Sequence, residues 1–446
     1  MLACRPPPRG VVARVVSSLA LSVLVACPAP HNPSAVSIAP QTVEIGRPGV
    51  VLSGVAGDGR TVFAALASAG PAAKTTIEAI TTIRAAPPPA WHTELDGSGG
   101  PLCLAGRMIV AALGGTGHVA GVDLRGQPGA VVAAIDAVTG AVAWKLAIDA
   151  TEWSVVSALT ATSGGVLVSG SFSGTLRIGA TVVSSAGKSD GFVARLTAAG
   201  GVGWLVRIGG PGADAVQGVA ASGDRIAIAG TFSAGADLLG QPLPIYDERS
   251  PYADGFVAEL DATGARRWAQ TFGGPADESV AGVAIDARGR IAIAATVRDT
   301  VHVGGADLVA NGTADGLVAW WAPDGEASPA ALIGGADFDG LRAIAAAGDH
   351  VLVGGFFSGT LRLGGRALTA GGGDDAFLAE LDAAGNVVQA WPVSGDGREE
   401  VTALTAIPGG FVAGIAHTAA ATVNRDALPA PHDPLSGAAI VVRPTR

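Results

Sequence analysis

Gly187-Lys188-Ser189-Asp190-Gly191 has the G-x-S-x-G spacing of a nucleophile elbow. That chemistry needs the serine on a sharp strand-to-helix turn, with a histidine and an acid in reach. Here the stretch runs into an apolar strand pattern, and the equivalents of Ser189 are Ala253, Ala314 and Asp374. Catalysis at Ser189 is not expected. The 7 histidines (His31, His92, His118, His302, His350, His417 and His432) form no H-E-x-x-H and share no repeat position, so neither a zinc site nor a triad is indicated. The glycine-rich joints at Gly209-Gly210-Pro211-Gly212, Gly273-Gly274-Pro275 and Gly334-Gly335 do not open helices. Turn formation suits them better than phosphate binding, which uses amides at a helix N-terminus or a nest. The carboxylates are more informative. Asp190, Asp254, Asp315 and Asp375 each precede a strand, and Asp214, Asp277, Asp337 and Asp339 lie in the joints between units. Clustered carboxylates and carbonyls suit calcium. No copy shows a full D-x-D-x-D-G loop, and aspartate also serves turns by bonding its own backbone. Turn structure is the preferred role, and no cofactor is expected, with calcium the one candidate ion.

The 3 cysteines fall at positions 4, 27 and 103. No C-x-x-C spacing or disulfide framework exists. Cys103, in Pro101-Leu102-Cys103-Leu104-Ala105, is expected to be a buried structural thiol. Cys27 differs. Arg5, Arg9 and Arg14 precede an apolar run over 15–25, too short to span a bilayer as a mature helix, and the run ends Leu24-Val25-Ala26-Cys27. This resembles the bacterial lipobox. The resemblance implies an export signal over 1–26, lipid on the Cys27 sulfur and cleavage in front of it. Several acyl chains would give stable membrane attachment. Pro28, a non-Asp residue, resembles lipoproteins sent on to the outer membrane. Residues 27–35 then form a short tether, of which 28–35 reach on the order of 25 Å when extended.

The elements that must position these residues come from a repeat of about sixty residues. Units open at Val155, Val216, Val280, Leu341 and Val401. Each carries a first strand, a Gly/Asp turn, and a second strand ending in Gly-aromatic-Ser or a close variant. A longer connection leads to Asp-Gly or Asp-Ala, a third strand, a Gly turn and a fourth strand. Residues 50–100 and 101–154 hold two weaker copies. Short apolar strands between Gly/Asp turns indicate an all-β chain. The second strands are apolar on both alternating faces, so both faces must be covered. Stacking small sheets against each other does this, as in a propeller. The expected architecture is a seven-bladed β-propeller of four-stranded antiparallel blades over 36–446, with blades near 50–100, 101–154, 155–215, 216–279, 280–340, 341–400 and 401–446. The last copy lacks a fourth strand. The lone strand at 36–45 is expected to complete it, which removes two exposed edges.

The Asp-Gly-Phe-Val-Ala-x-Leu run with its Gly-bounded second strand resembles the bacterial SBBP-type seven-bladed propeller repeat over about 155–446. Ala134-Ile135-Asp136-Ala137-Val138-Thr139-Gly140 followed by Trp144 is similar to the quinoprotein-like propeller repeat, as are Trp204 and Trp268. That similarity implies a tryptophan docked on the next blade.

Net charge is −10, and loss of three arginines with the signal makes the mature chain more acidic. Nucleic acid and anionic lipid head groups are disfavoured as partners. The connection over 241–253 is enlarged and holds Tyr246, Asp247, Glu248, Arg249 and Tyr252, including both tyrosines of the chain. Loops on rigid scaffolds often carry recognition. The expected function is a non-enzymatic, monomeric, lipid-anchored envelope scaffold that binds a protein or surface polymer through its acidic loop face. The alternatives are a quinoprotein-like or hydrolytic enzyme using that face, or an outer-membrane assembly factor. The last rests on analogy alone.

Overall fold

The computed structural model describes residues 41–44, 50–58, 61–68, 73–81, 91–248, 251–424, 426–428 and 437–444. All belong to the compact unit Ser37–Arg446. The signal 1–26, Cys27 and the tether to residue 35 lie outside the described residues, as do Arg249, His31 and His432.

The fold is an all-β propeller. In chain order the first sheet is Val50–Gly57, Thr61–Ser68, Lys74–Thr81 and His92–Asp96. Next come Ser98–Ala105, Met108–Val119, Val122–Asp136 and Val142–Ala150. The clear repeats follow: Trp153–Thr162, Gly165–Ser173, Asp190–Thr197 and Val202–Gly209; Ala215–Ser222, Arg225–Phe232, Asp254–Leu260 and Arg266–Phe272; Ser279–Ile285, Ile291–Val297, Asp315–Trp321 and Ala331–Ile333; Asp339–Ala347, His350–Phe357, Asp375–Leu381 and Val387–Gly395. Each is antiparallel in chain order. The final sheet runs Glu399–Ile407, Gly410–His417, Gly437–Pro444 and then Gln41–Glu44, which pairs Gln41 with Val442 and Glu44 with Ala439. Each first strand packs on the first strand of the next sheet, and Glu399–Ile407 packs on Val50–Gly57, so the circle closes.

The core lies between sheets, not inside them. One cluster joins Val110, Val132 and Ile148 to Val168, Phe172 and Phe192 of the following sheet. Others repeat this around the ring. The second strands show why: Ile291–Val297 is buried at every position. Each buried Val, Leu, Ile or Phe contributes roughly 1.5–3 kcal/mol, and a sheet alone would leave one face wet.

Two features of the repeat were not expected. The long connections fold into small hairpins that reach back to the preceding sheet. Thr175–Ile178 and Thr181–Ser184 add to Val142–Ala150 through Leu176, Arg177 and Ile178. Asp237–Leu238 does the same on Val202–Gly209, and Ala421–Val423 on Val387–Gly395. The second is a β-bulge in the first strands, at Ser53, Ser157, Gln217, Ala281, Arg342 and Thr402. A bulge re-aims one side chain. Gln217 and Arg342 thereby turn to neighbours: Gln217 Nε2 donates to Thr231 Oγ1 at 2.9 Å and Arg342 Nε to Glu400 Oε1 at 2.5 Å. The first strands line a cavity of 410 Å³, with Leu159, Val219, Val283, Ile344 and Leu404 among its walls.

Tryptophans tie each of the first four sheets forward. The indole N–H of Trp91 donates to Ala137 O, Trp144 to Ala198 O, Trp204 to Ala262 O and Trp268 to Pro323 O, at 2.9–3.3 Å. Each ring lies on the glycine of the next sheet's last turn. Gly264 has φ +86° and a Cβ there would sit 3.0 Å from the Trp204 ring. Trp91 takes the same part in the first sheet, although no Thr-Gly turn precedes it in the sequence.

Candidate functional site

The acids at the sheet junctions form a repeated structure. In every clear repeat the third strand opens on an aspartate, and the acid 24 positions later opens the first strand of the next sheet. The pairs are Asp190 with Asp214, Asp254 with Glu278, Asp315 with Asp339, and Asp375 with Glu399. The backbone fixes them side by side. The amide of each second acid donates to the carbonyl just before the first one: Asp214 to Ser189, Glu278 to Ala253, Asp339 to Ala314, Glu399 to Asp374, at 2.8–3.2 Å. All eight carboxyl groups are buried, none more than 4% exposed.

The expected joint acids Asp277 and Asp337 are therefore not the paired ones. Both are exposed. Asp277 Oδ1 accepts the Ala253 amide at 3.0 Å. Their neighbours Glu278 and Asp339 are buried instead, each held at the junction by its amide bond to the carbonyl of Ala253 or Ala314. The acidic face is thus mostly an internal layer: Asp190, Asp214, Asp254, Asp315 and Asp375 do not reach solvent. The fixed spacing of 24 is the signal that finds the pairs. In the weaker sheets it lands on Thr75 with Gly99 and Ala130 with Ser154.

The first acid of a pair spends one oxygen on its own loop. Oδ2 of Asp190 accepts the Ala186 amide at 3.0 Å, Asp315 that of Asn311 at 2.9 Å, and Asp375 that of Gly371 at 3.2 Å. In the enlarged loop Asp254 Oδ2 accepts the Tyr246 amide at 2.5 Å. Oδ1 of Asp190, Asp315 and Asp375 has no partner. The second acids split by type. Asp214 accepts the amides of Gly210 and Ser233 at 2.7 Å each. Asp339 accepts those of Gly335 and Ser358 at 2.5 and 3.1 Å. Glu278 and Glu399 have no partner on either oxygen.

Burial pushes six of these groups up. Asp214, Asp254 and Asp339 rise to about 6. Glu278 rises to about 8 through burial and then the charges of Asp254 and Asp277, and Glu399 to about 8 through burial and then Asp375. Asp315 is raised by burial. Among the described residues no three His, Cys, Asp or Glu side chains converge as a metal cluster.

The other sequence candidates fall as follows. Ser189 precedes the strand Asp190–Thr197 rather than a helix. His302 Nδ1 bonds Asp307 at 2.8 Å, His350 Nδ1 bonds Glu380 at 2.7 Å, and His417 Nδ1 bonds Ala419 O at 2.9 Å. Cys103 is a free cysteine whose residue surface is only partly covered. Its thiol packs beside the Val110 cluster, and burial pushes it to about 12. In the enlarged loop Leu243 is buried and anchors the segment, while Tyr246 is 57% and Tyr252 43% exposed. Glu248 is exposed and Asp247 half-buried. A buried ion network at the opposite end of its sheet was not foreseen: Glu259 accepts from Arg225, from Arg267 at 2.7 Å and from Trp268 at 3.1 Å.

No family model matches the chain and no curated protein matches it. Among solved structures it is similar to BamB from Moraxella catarrhalis, at 15% identity over 88% of this chain and 85% of that one, TM-score 0.43. A quinohemoprotein alcohol dehydrogenase from Comamonas testosteroni matches at 11% identity over 89% and 77%, TM-score 0.39. The β-propeller domain of the trilobed protease from Pyrococcus furiosus matches at 10% over 88% and 98%, TM-score 0.45. These likenesses concern the fold alone, which the sheet order already defines.

Proposed function

We propose that this chain is a non-enzymatic propeller scaffold of the cell envelope, held by lipid on Cys27, that engages a protein or surface polymer through the 241–253 loop. The carrying observation is the exposure of Tyr246 and Tyr252 on that insertion, where Leu243 is buried as its anchor. Tyrosine offers a large contact surface with a polar tip and is enriched at interfaces. Charges of both signs flank the tyrosines, acidic Glu248 and Asp277 and basic Arg266 and Arg298, so the matching partner surface is polar and mixed in charge. The non-enzymatic reading is supported by where the candidate groups are spent: Ser189 in a junction, His302, His350 and His417 in local bonds. The ring is taken to hold seven blades, one for each sheet from that of Val50–Gly57 to that closed by Gln41–Glu44. The SBBP-like repeat agrees with that number. Envelope location rests on the Leu24–Cys27 pattern.

The test has two arms. Acyl-probe labelling of wild type against Cys27→Ser reports the anchor, and loss of label in the variant is expected. Affinity capture from envelope extracts compares wild type with Tyr246→Ala/Tyr252→Ala. The variant is expected to lose its partner at least tenfold while keeping its melting temperature. Undiminished capture removes the loop from the function.

A further inference from the structure

The four junctions share an acid pair but not a counter-charge. At Asp190–Asp214 the guanidinium of Arg207 bonds Asp190. Arg207 stands opposite Phe192 in its sheet. The same register place holds Thr271 opposite Phe256, Leu332 opposite Leu317, and Pro392 opposite Phe377. None of these carries a cation. At Asp315–Asp339 two backbone amides occupy both oxygens of Asp339. At Asp254–Glu278 and Asp375–Glu399 nothing does: Glu278 is 4% exposed, Glu399 is fully buried, and all four glutamate oxygens are unpartnered. A second acid adds its field to each, Asp277 at one and Asp396 at the other.

A proton shared across such a pair engages one oxygen of the glutamate and leaves the other orphaned. Leaving a buried polar group unsatisfied costs about 1–3 kcal/mol. A hard divalent cation engages both oxygens and supplies the charge that Arg207 supplies at Asp190–Asp214. All the side-chain donors here are oxygens, which favours calcium over zinc or copper.

We propose that calcium binds at the Asp254–Glu278 and Asp375–Glu399 junctions, two ions per chain. The paired carboxylates hold each ion, and main-chain oxygens and water complete its shell. Two carboxylates per ion place the affinity in the weak range of extracellular modules, on the order of 10⁻⁴–10⁻³ M. The ions clamp successive sheets where no guanidinium is bonded to the acid pair; Arg298 acts on Glu278 only through its field.

The test is calcium titration of the full chelator-stripped chain near neutral pH, by calorimetry and by melting temperature. Wild type is expected to bind two calcium ions and to melt higher when loaded. Glu399→Gln is expected to bind one. Thr271→Arg, which places a guanidinium at the Arg207 position, is expected to lose the other ion and to melt at least as high as wild type without calcium. Wild type that binds no calcium up to about 10 mM, or two ions retained by both variants, overturns the proposal. In the first case the pairs hold protons instead.

Discussion

At the residue scale the unusual objects are Glu278 and Glu399. An ordinary glutamate titrates near 4.5, and burial with an adjacent aspartate lifts both to about 8. Between those values the folded chain holds protons that the unfolded chain has released. The resulting stability is fully present below the unfolded value and is lost as pH rises through the folded one. In chelator, the melting temperature is therefore expected to fall from about pH 5 to about pH 8. The slope should flatten in Glu278→Gln/Glu399→Gln. A thermal melt series across pH in both proteins checks this, and an unchanged slope in the variant would place the titration elsewhere. Asp214 and Asp339 contribute differently. They rise only to about 6 because backbone amides stabilise their charged forms.

At the element scale the small hairpins between second and third strands do more than connect. Leu176 and Ile178 are fully buried, and their strand adds to the preceding sheet. Leu176→Ala is expected to cost about 3 kcal/mol, from lost burial and a residual cavity. Val182→Ala on the partner strand, where Val182 is 47% exposed, should stay within about 0.5 kcal/mol. Urea unfolding distinguishes the two. These hairpins were hidden in the sequence because strands as short as Asp237–Leu238 carry no usable periodicity. The main strands were legible because their turns carry Gly and Asp and their apolar runs recur. Of the site, Asp190, Asp254, Asp315 and Asp375 could be read from the Asp-Gly or Asp-Ala signal. Their partners could not be placed by proximity to a glycine joint, since Asp277 lies next to Glu278 and Asp337 two positions before Asp339. The amide bonds from Glu278 to Ala253 and from Asp339 to Ala314 decide which acid is paired.

At the scale of the whole molecule, stability is a property of neighbours. Tryptophans reach forward from the first four sheets, three hairpins reach back, and every sheet packs on its neighbours. The place where this depends on chain ends is the final sheet, whose outermost strand is Gln41–Glu44. Deleting residues 1–44 leaves Gly437–Pro444 as an open edge, ready to pair with another chain. The shortened protein is expected to melt lower and to associate with rising concentration. Light scattering across a dilution series reads this, and a monomer with unchanged melting behaviour would remove the strand from the fold's support.

That pairing also sets an order in time. Gln41 meets Val442, so the first of the described strands waits for the last of them. Contacts this distant in sequence form late, after the closure entropy of the intervening chain has been met. During synthesis the sheets can assemble one upon another from the amino end, while the seam stays unmade. A nascent chain halted anywhere before Gly437 is an arc with two raw margins, and its hazard is capture by its own kind before completion.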